Sequence, residues 1–190
     1  MQEFFDNLLG VPGITDIIAQ AFGIIGMIII ISSFQCRSNK TFFLMQGTGS
    51  SMFVINFLLI GAFGGAFFNF ANLIRGLLFS KNSTRKWKLA LVEALYIVCF
   101  AVSCFLNSDP WQILLTSIPC VGLLIISIFM YQGEPRRIRY AQIACSSPAW
   151  IIHNIFNFSL GGLICECFNM VSSAIFLIRE KKSRGEQKTE

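Results

Sequence analysis

Charged residues are scarce in this sequence, and their scarcity excludes a soluble globular domain. Asp, Glu, Lys and Arg make up 13% of the 190 residues, whereas hydrophobic residues make up 54% and include 20 Phe. A soluble domain of this size needs far more charge to cover its surface. Apolar runs such as 17–34 and 113–131 have the length of membrane-spanning helices. The composition therefore predicts an all-α, polytopic membrane protein, with the lipid bilayer as its first partner.

Side chains and motifs for catalysis or metal binding are also few. The sequence has one histidine, His153, and no Walker loop, HExxH motif or nucleophile elbow, so a catalytic triad is nearly excluded. The seven cysteines fall mostly inside predicted helices, which argues against a disulfide framework. Cys165 and Cys167 are two residues apart on a helix and make a poor metal-binding pair. We therefore expect no enzymatic activity, no metal and no cofactor. The scattering of the basic residues argues against nucleic-acid binding.

Turn and charge signals divide the chain into seven predicted spanning helices. A short interfacial segment, 1–13, precedes them on the outer face, and a charged cytoplasmic tail, 180–190, follows them. The predicted helices cover about 14–34, 42–60, 62–79, 88–106, 111–131, 138–158 and 160–179.

The basic residues predict how these helices are oriented. All 15 Lys and Arg residues fall in or beside the connections after helices 1, 3 and 5, or at the C-terminal end. The opposite face carries acidic residues only. Because cytoplasmic loops are enriched in Lys and Arg, the N-terminus is predicted outside and the C-terminus in the cytoplasm.

The two ends of the chain align with each other at a fixed offset of 97 residues. The matches that carry weight are polar or glycine pairs: Ser50 with Ser147, Gly64-Gly65 with Gly161-Gly162, Asn69 with Glu166, and Asn72 with Asn169. Helix 4 lies between the copies as a single span, so both copies enter the membrane from the same side. We therefore expect two parallel three-helix repeats, 14–80 and 111–179, joined by a linker helix in 81–110.

This order of three, one and three helices resembles the SWEET sugar carriers and the PQ-loop group, whose parallel repeats enclose a site near the midplane. A second resemblance rests on four segments: Trp150-Ile151-Ile152-His153-Asn154, Gly161-Gly162, Ala19-Gln20-Ala21-Phe22-Gly23 and Asn72-Leu73-Ile74-Arg75. These segments are similar to the YgjV-type bacterial inner-membrane family, over nearly the whole chain after residue 15. That resemblance implies a multi-pass protein of the bacterial inner membrane and implies no substrate.

The SWEET resemblance also implies where a solute would bind. In those carriers an Asn from the third helix of each repeat contacts the sugar, and small single-repeat forms have an aromatic residue sixteen positions earlier. Asn72 and Asn169 match the Asn pair, but Asn56 and His153 stand where the aromatic residues are expected. The resemblance therefore predicts a polar site without identifying a sugar as its solute.

Polar residues at membrane depth concentrate in the segment 150–170. Such groups cost several kcal/mol each and usually face a bundle interior or a wet cavity. His153 and Glu166 both lie about 10 Å below the turn near residue 159, so they could face each other across the hairpin. They are either a titrating proton relay or a structural pair. Trp150 is either lipid-facing packing or a stacking wall for a ring-shaped solute.

Arg75 also lies inside the predicted membrane, in its inner third. One interpretation is that its side chain snorkels to the cytoplasmic interface. Another is a structural ion pair with Glu93, which lies at a similar depth on helix 4. Asn72 and Asn169 likewise have a structural interpretation, because Asn side chains can link helices by hydrogen bonds.

The leading hypothesis is a small-solute transporter that works by alternating access. An alternative is a non-transporting inner-membrane protein that binds a lipid or a partner protein, and a weaker one is an intramembrane enzyme that uses His153 and Glu166 for acid–base chemistry. The solute, any coupling to protons and the oligomeric state are not determined by the sequence. The predicted binding site comprises Asn72, Asn169, Asn56, His153 and Trp150.

Overall fold

The structure is a computed structural model that describes residues 13–34, 36, 38–81, 85–107 and 109–186. The described chain is helical and contains no β-strand. The predicted interfacial segment, except for its last residue, and the last four residues of the predicted tail lie outside the described residues.

Seven helices form in the described chain, and the predicted all-α class and number of helices are confirmed. The sixth helix, α6, is continuous from Pro135–Ala141 through a π-helical turn, Gln142–Ser146, into Ser147–Phe156. The others are α1 Ile14–Ser33, α2 Asn39–Leu59, α3 Phe63–Ser80, α4 Lys86–Leu106, α5 Pro110–Gln132 and α7 Leu160–Glu186.

Local sequence signals explain where several helices begin and end. Asp109 caps α5 by accepting a hydrogen bond from the backbone N–H of Trp111 at 3.0 Å, and Pro110 takes the first position of that helix. The left-handed Gly133 ends α5, with φ of 73°. α7 continues seven residues past its predicted end at 179, because Glu, Lys and Arg are good helix formers.

The turn between α6 and α7 is short. Phe158 takes the left-handed conformation, with φ of 54°, and α7 begins at Leu160. Gly161 and Gly162 therefore belong to the first turn of α7 rather than to the loop. Gly161 is needed for close packing, since a Cβ at this position would lie 2.6 Å from the carbonyl oxygen of Gly23 on α1.

Five of the seven helices, α1, α2, α4, α5 and α7, are long and apolar enough to cross a membrane. The other two are the helices in which polar groups interrupt the apolar pattern. α3 carries Asn69, Asn72 and Arg75, and the π-helical turn divides α6 into shorter α-helical pieces. α3 and α6 are also the helices that place most of their polar residues inside the bundle, as described below.

The helices form a closed ring in which each contacts the next along the chain and α7 returns to contact α1. Its outer surface is apolar: the side chains of Phe105, Ile14 and Ile178 are 88%, 79% and 68% exposed. Its interior combines a hydrophobic core, which includes Phe68 and Val92, with buried polar residues such as Asn56 and His153. An apolar outer surface with the polar groups turned inward is the arrangement expected in lipid.

The bundle has two chemically different ends. We call the end with the α1–α2, α3–α4 and α5–α6 connections and the C-terminus the basic end, because the Lys and Arg residues concentrate there. We call the end with the α2–α3, α4–α5 and α6–α7 turns the acidic end, because it carries Asp16 and Asp109. At the basic end Lys88 on α4 donates hydrogen bonds of 2.8 and 3.0 Å to the carbonyls of Leu78 and Lys81, so it caps the end of α3.

Candidate functional site

A polar cavity of about 70 Å³, the central cavity, lies inside the ring of helices. Its wall is formed by α2, α3, α5, α6 and α7, with Ile30 from α1, and it includes the aromatic side chains of Phe53, Phe57 and Trp150. Its polar lining residues are Gln46, Ser50, Asn69, Asn72, Arg75, Gln142, Ser146, Asn154, Glu166 and Asn169.

Asn72 and Asn169, the predicted asparagine pair, both line the central cavity. They differ in how they are held. The Oδ1 atom of Asn72 accepts a hydrogen bond of 2.6 Å from the hydroxyl of Tyr96, a fully buried residue of α4. The Oδ1 atom of Asn169 is buried without a hydrogen-bond partner, whereas its Nδ2 atom donates to the sulfur of Cys165 at 3.9 Å and also interacts with the carboxylate of Glu166. Asn72 is therefore fixed by the protein, whereas Asn169 retains an unused acceptor.

Trp150 and His153 occupy neighbouring positions with different exposure to the cavity. Trp150 lines it, and packs edge-on against Phe68. His153 is not among the lining residues: it is buried between Phe57 and Trp150, with ring centroids 5.5 and 5.4 Å away. A Cβ on Gly65 would lie 2.9 Å from the His153 ring, so this glycine makes room for it. His153 thus lies behind the aromatic wall of the cavity.

Asn56 also lies outside the central cavity, where it helps to close the acidic end of the bundle. Its Nδ2 donates to the carbonyl of Ala19 at 2.8 Å, and its Oδ1 accepts from the hydroxyl of Ser159 at 2.8 Å. Gln20 adds two bonds, donating to the carbonyl of Phe158 at 2.9 Å and accepting from the N–H of Leu160 at 3.1 Å. We call these contacts between α1, α2 and the α6–α7 turn the acidic-end seal.

Glu166 is held by neutral donors on α6. The hydroxyl of Ser147 donates to its Oε2 at 2.6 Å, and the amide of Gln142 donates to the same oxygen at 3.3 Å. Gln142 and Ser147 lie at the two ends of the π-helical turn, a distortion that is frequent at functional sites. No hydrogen bond joins Glu166 to His153 in the described chain, so the proposed relay between them stays a prediction.

Arg75 lies inside the bundle and lines the central cavity, rather than reaching the surface at the basic end. Its Nη1 donates to the hydroxyl of Ser127 on α5 at 3.2 Å. No salt bridge within 4.0 Å joins Arg75 to Glu93 in the part of the chain that the structure describes. Glu93 has its Oε1 atom buried without a hydrogen-bond partner. The predicted ion pair is therefore not formed as a direct contact.

A second cavity of about 180 Å³, the basic-end cavity, adjoins the first. The two share the lining residues Gln46, Met130, Gln142 and Asn169. The rest of its wall is largely aromatic or aliphatic, and the guanidinium of Arg139 lies over the ring of Phe34 at 4.6 Å. The two cavities are thus adjacent, with the second on the side of the basic end, and the hydrogen bonds of the acidic-end seal lie on the opposite side.

Several lining residues were not predicted from the sequence. Gln46, Gln142 and Asn154 have no partner at the 97-residue offset that would have drawn attention to them. The available signal was Pro148, which falls inside a predicted helix and accompanies the π-helical turn. Among the described residues, no three His, Cys, Asp or Glu side chains come together as a metal site would require.

Comparison with known proteins assigns the chain to a family. A family model described as a bacterial inner membrane protein, Imp-YgjV, matches residues 17–184. No curated protein and no solved structure matches the chain. Because the family model spans most of the sequence, this multi-pass helical protein belongs to the YgjV family of bacterial inner-membrane proteins.

Proposed function

We propose that this protein is an alternating-access carrier for a small polar solute, which binds in the central cavity. The observation that carries the proposal is a polar cavity inside the bundle, with a second cavity beside it toward the basic end and the hydrogen-bonded seal toward the acidic end. A membrane protein with a purely structural role gains no stability from a polar cavity at membrane depth, since each polar group there costs free energy. A carrier needs such a cavity, because its solute must leave water.

The charge distribution orients this carrier. By the positive-inside rule the basic end faces the cytoplasm, which places the N-terminus outside and the C-terminus inside. The basic-end cavity then opens toward the cytoplasm, and the acidic-end seal closes the outer face. The structure therefore corresponds to an inward-facing state of the proposed transport cycle.

The 97-residue repeat supports a symmetric site. Asn69 and Glu166 match at this offset, as do Asn72 and Asn169, and all four line the central cavity. Residues that match in sequence thus converge on one space from α3 and α7, the third helices of the two proposed repeats. Parallel repeats related by an axis along the membrane normal bring equivalent positions together in this way.

The seal suggests how the outer face could open. Three of its hydrogen bonds cross between the proposed repeats: one from Ser159 to Asn56 and two that Gln20 makes with the α6–α7 turn. Interhelical hydrogen bonds in membranes are worth about 0.6–2 kcal/mol each. Because opening breaks three such bonds, the outward-open state is a minor population. A solute that binds this state moderately better can increase that population. Rocking of the two proposed three-helix repeats about α4 would break these three hydrogen bonds and close the basic-end cavity.

The test begins with a thermal-shift screen of the purified protein against sugars, nucleosides, vitamins, amino acids and organic acids. Each solute that stabilises the protein is then assayed for uptake into proteoliposomes. We expect Asn169→Ala to insert and fold but to lower uptake at least about fivefold, because one hydrogen bond to the solute is worth roughly 1 kcal/mol. Thr48→Ala is the matched control: Thr48 is exposed on α2, and its hydroxyl donates to the carbonyl of Leu44 in its own helix.

Two results would count against a carrier. One is that no solute stabilises the protein or enters proteoliposomes. The other is that Asn169→Ala changes thermal stability while uptake stays equal to that of Thr48→Ala. The second result would favour the alternative of a non-transporting membrane protein.

A further inference from the structure

The central cavity contains two groups that carry opposite charges when ionised, and the protein does not pair them with each other. Arg75 enters from α3 and Glu166 from α7, and both line the cavity. No salt bridge within 4.0 Å connects them among the described residues. Each is held by neutral side chains instead: Arg75 by Ser127, and Glu166 by Ser147 and Gln142.

Hydrogen-bonding capacity is left over on two sides of the cavity. A guanidinium has five N–H donors, and one of those of Arg75 is used in the described chain, at Ser127. On the other side of the cavity, the Oδ1 atoms of Asn154 and Asn169 are buried without a hydrogen-bond partner. Donor capacity therefore lies on α3, and acceptor capacity lies on α6 and α7. Buried polar groups without partners are rare and call for an explanation.

We propose that the central cavity binds a small zwitterionic solute. Its anionic group contacts the guanidinium of Arg75, and its cationic group contacts the carboxylate of Glu166 and the amide oxygens of Asn154 and Asn169. This inference rests on the proposed function and names the chemical class of its solute. A guanidinium matches the geometry of a carboxylate or sulfonate, and an ammonium supplies three donors to the acceptor side.

Other classes of solute leave one of the charges unpaired. A neutral sugar can hydrogen-bond to Arg75 and Glu166 but leaves both charges without a counter-charge, and a singly charged solute pairs with only one of them. Glu93, the carboxylate that interacts electrostatically with Arg75, is not among the cavity residues and accepts no hydrogen bond at Oε1. A zwitterion pairs both cavity charges and adds no net charge to the membrane interior, where charge is costly.

The size of the cavity limits the solute further. A volume of about 70 Å³, with the basic-end cavity beside it, limits the solute to roughly the size of a small amino acid, since a cavity of about 150 Å³ holds one benzene molecule. Alanine has a size in this range, and so do three molecules of nearly the same shape: lactate, an anion; alaninamide, a cation; and lactamide, which is neutral. These four molecules isolate charge from shape. Glycine and taurine extend the zwitterionic set.

The experiment measures the affinity of the purified full-length protein for these probes by thermal shift and by isothermal titration. We expect zwitterions from the set to bind at least about tenfold more tightly than lactate, alaninamide and lactamide. We expect Arg75→Gln to change the preference to alaninamide and Glu166→Gln to change it to lactate, because each variant leaves one charge. Thr48→Ala should keep the preference for zwitterions.

The outcomes separate this inference from the proposed function. If a neutral or singly charged solute binds the unmodified protein best and is transported, the carrier stands and the zwitterion proposal is overturned. The proposal is also overturned if both charge variants fold, as shown by monodisperse elution and cooperative melting, but keep the preference of the unmodified protein. If a charge variant does not fold, the binding order of the four alanine-shaped probes to the unmodified protein decides alone. If no solute binds or crosses the membrane, both proposals fail.

Discussion

Replacing Gly161 by alanine should open the acidic-end seal. Gly161 lies in the first turn of α7, directly against the backbone of α1. A Cβ there would lie 2.6 Å from the carbonyl oxygen of Gly23 and 2.8 Å from the backbone nitrogen of Ile24, whereas ordinary contacts begin at 3.4 Å. Because both neighbours are backbone atoms of a helix, no side chain can turn aside. The two helices must separate by at least roughly 0.8 Å at this point, the difference between 3.4 and 2.6 Å, because the carbonyl carbon of Gly23 would lie closer still.

The magnitude follows from the cost of overpacking, which is about 1–3 kcal/mol for an extra methyl group in a well-packed interior. If the strain is relieved when the seal opens, the open population rises about 5- to 150-fold. The strained contact adjoins the bond from the N–H of Leu160 to Gln20, so this amide should lose protection with the rest of the seal.

Hydrogen–deuterium exchange measured by mass spectrometry gives the readout. Peptides that cover 157–163 and 19–24 should exchange faster in Gly161→Ala than in the unmodified protein. Gly47→Ala serves as the control. A Cβ at this position would lie 3.3 Å from its nearest neighbour, the carbonyl oxygen of Leu73 on α3, which belongs to the same proposed repeat. Unchanged exchange in both peptides, with an unchanged melting temperature, would refute the idea that α1 and α7 are in direct backbone contact at the seal.

Two further predictions concern residues of α4. Lys88→Met should lower the free energy of unfolding by about 1–3 kcal/mol, because it removes two hydrogen bonds from a charged group to the end of α3. Lys86→Met, at an exposed position, should change this free energy little. Chemical unfolding in micelles compares the two variants. Tyr96→Phe should lower stability by about 1 kcal/mol and weaken solute binding, because Asn72 loses the hydroxyl that orients it; a variant that keeps full affinity would show that this orientation is not needed.

The sequence predicted the helices well where the pattern is local. The apolar runs, the Asp109-Pro110 start of α5 and the glycine at its end each act within a few residues, so they can be read without a fold. Local signals do not explain the glycines that follow the α6–α7 turn. Gly161 and Gly162 have the composition of a turn, but the reason for a glycine at Gly161 is a helix more than a hundred residues away.

The candidate site was predicted in part, for a similar reason. The fixed offset predicted Asn72, Asn169 and Glu166 as interior residues, since equivalent positions of the proposed parallel repeats would face a common axis, and all three line the central cavity. It could not distinguish Asn56, which bonds to Ala19 and Ser159 in the seal, from a residue of the cavity wall. Depth along a helix is readable from residue counting, whereas the direction of a side chain depends on its neighbours.

By itself, the sequence determined that this chain is a helical, multi-pass protein, because length, hydropathy and capping act along the chain. The sequence also places the basic residues in alternate connections between the helices, and these connections lie at one end of the bundle. Only the tertiary structure decided which polar residues meet: it placed Arg75 and Glu166 in one cavity without pairing them, and brought α1 against the start of α7. The physical reason is that hydrogen bonds and close packing depend on distances between segments far apart in sequence.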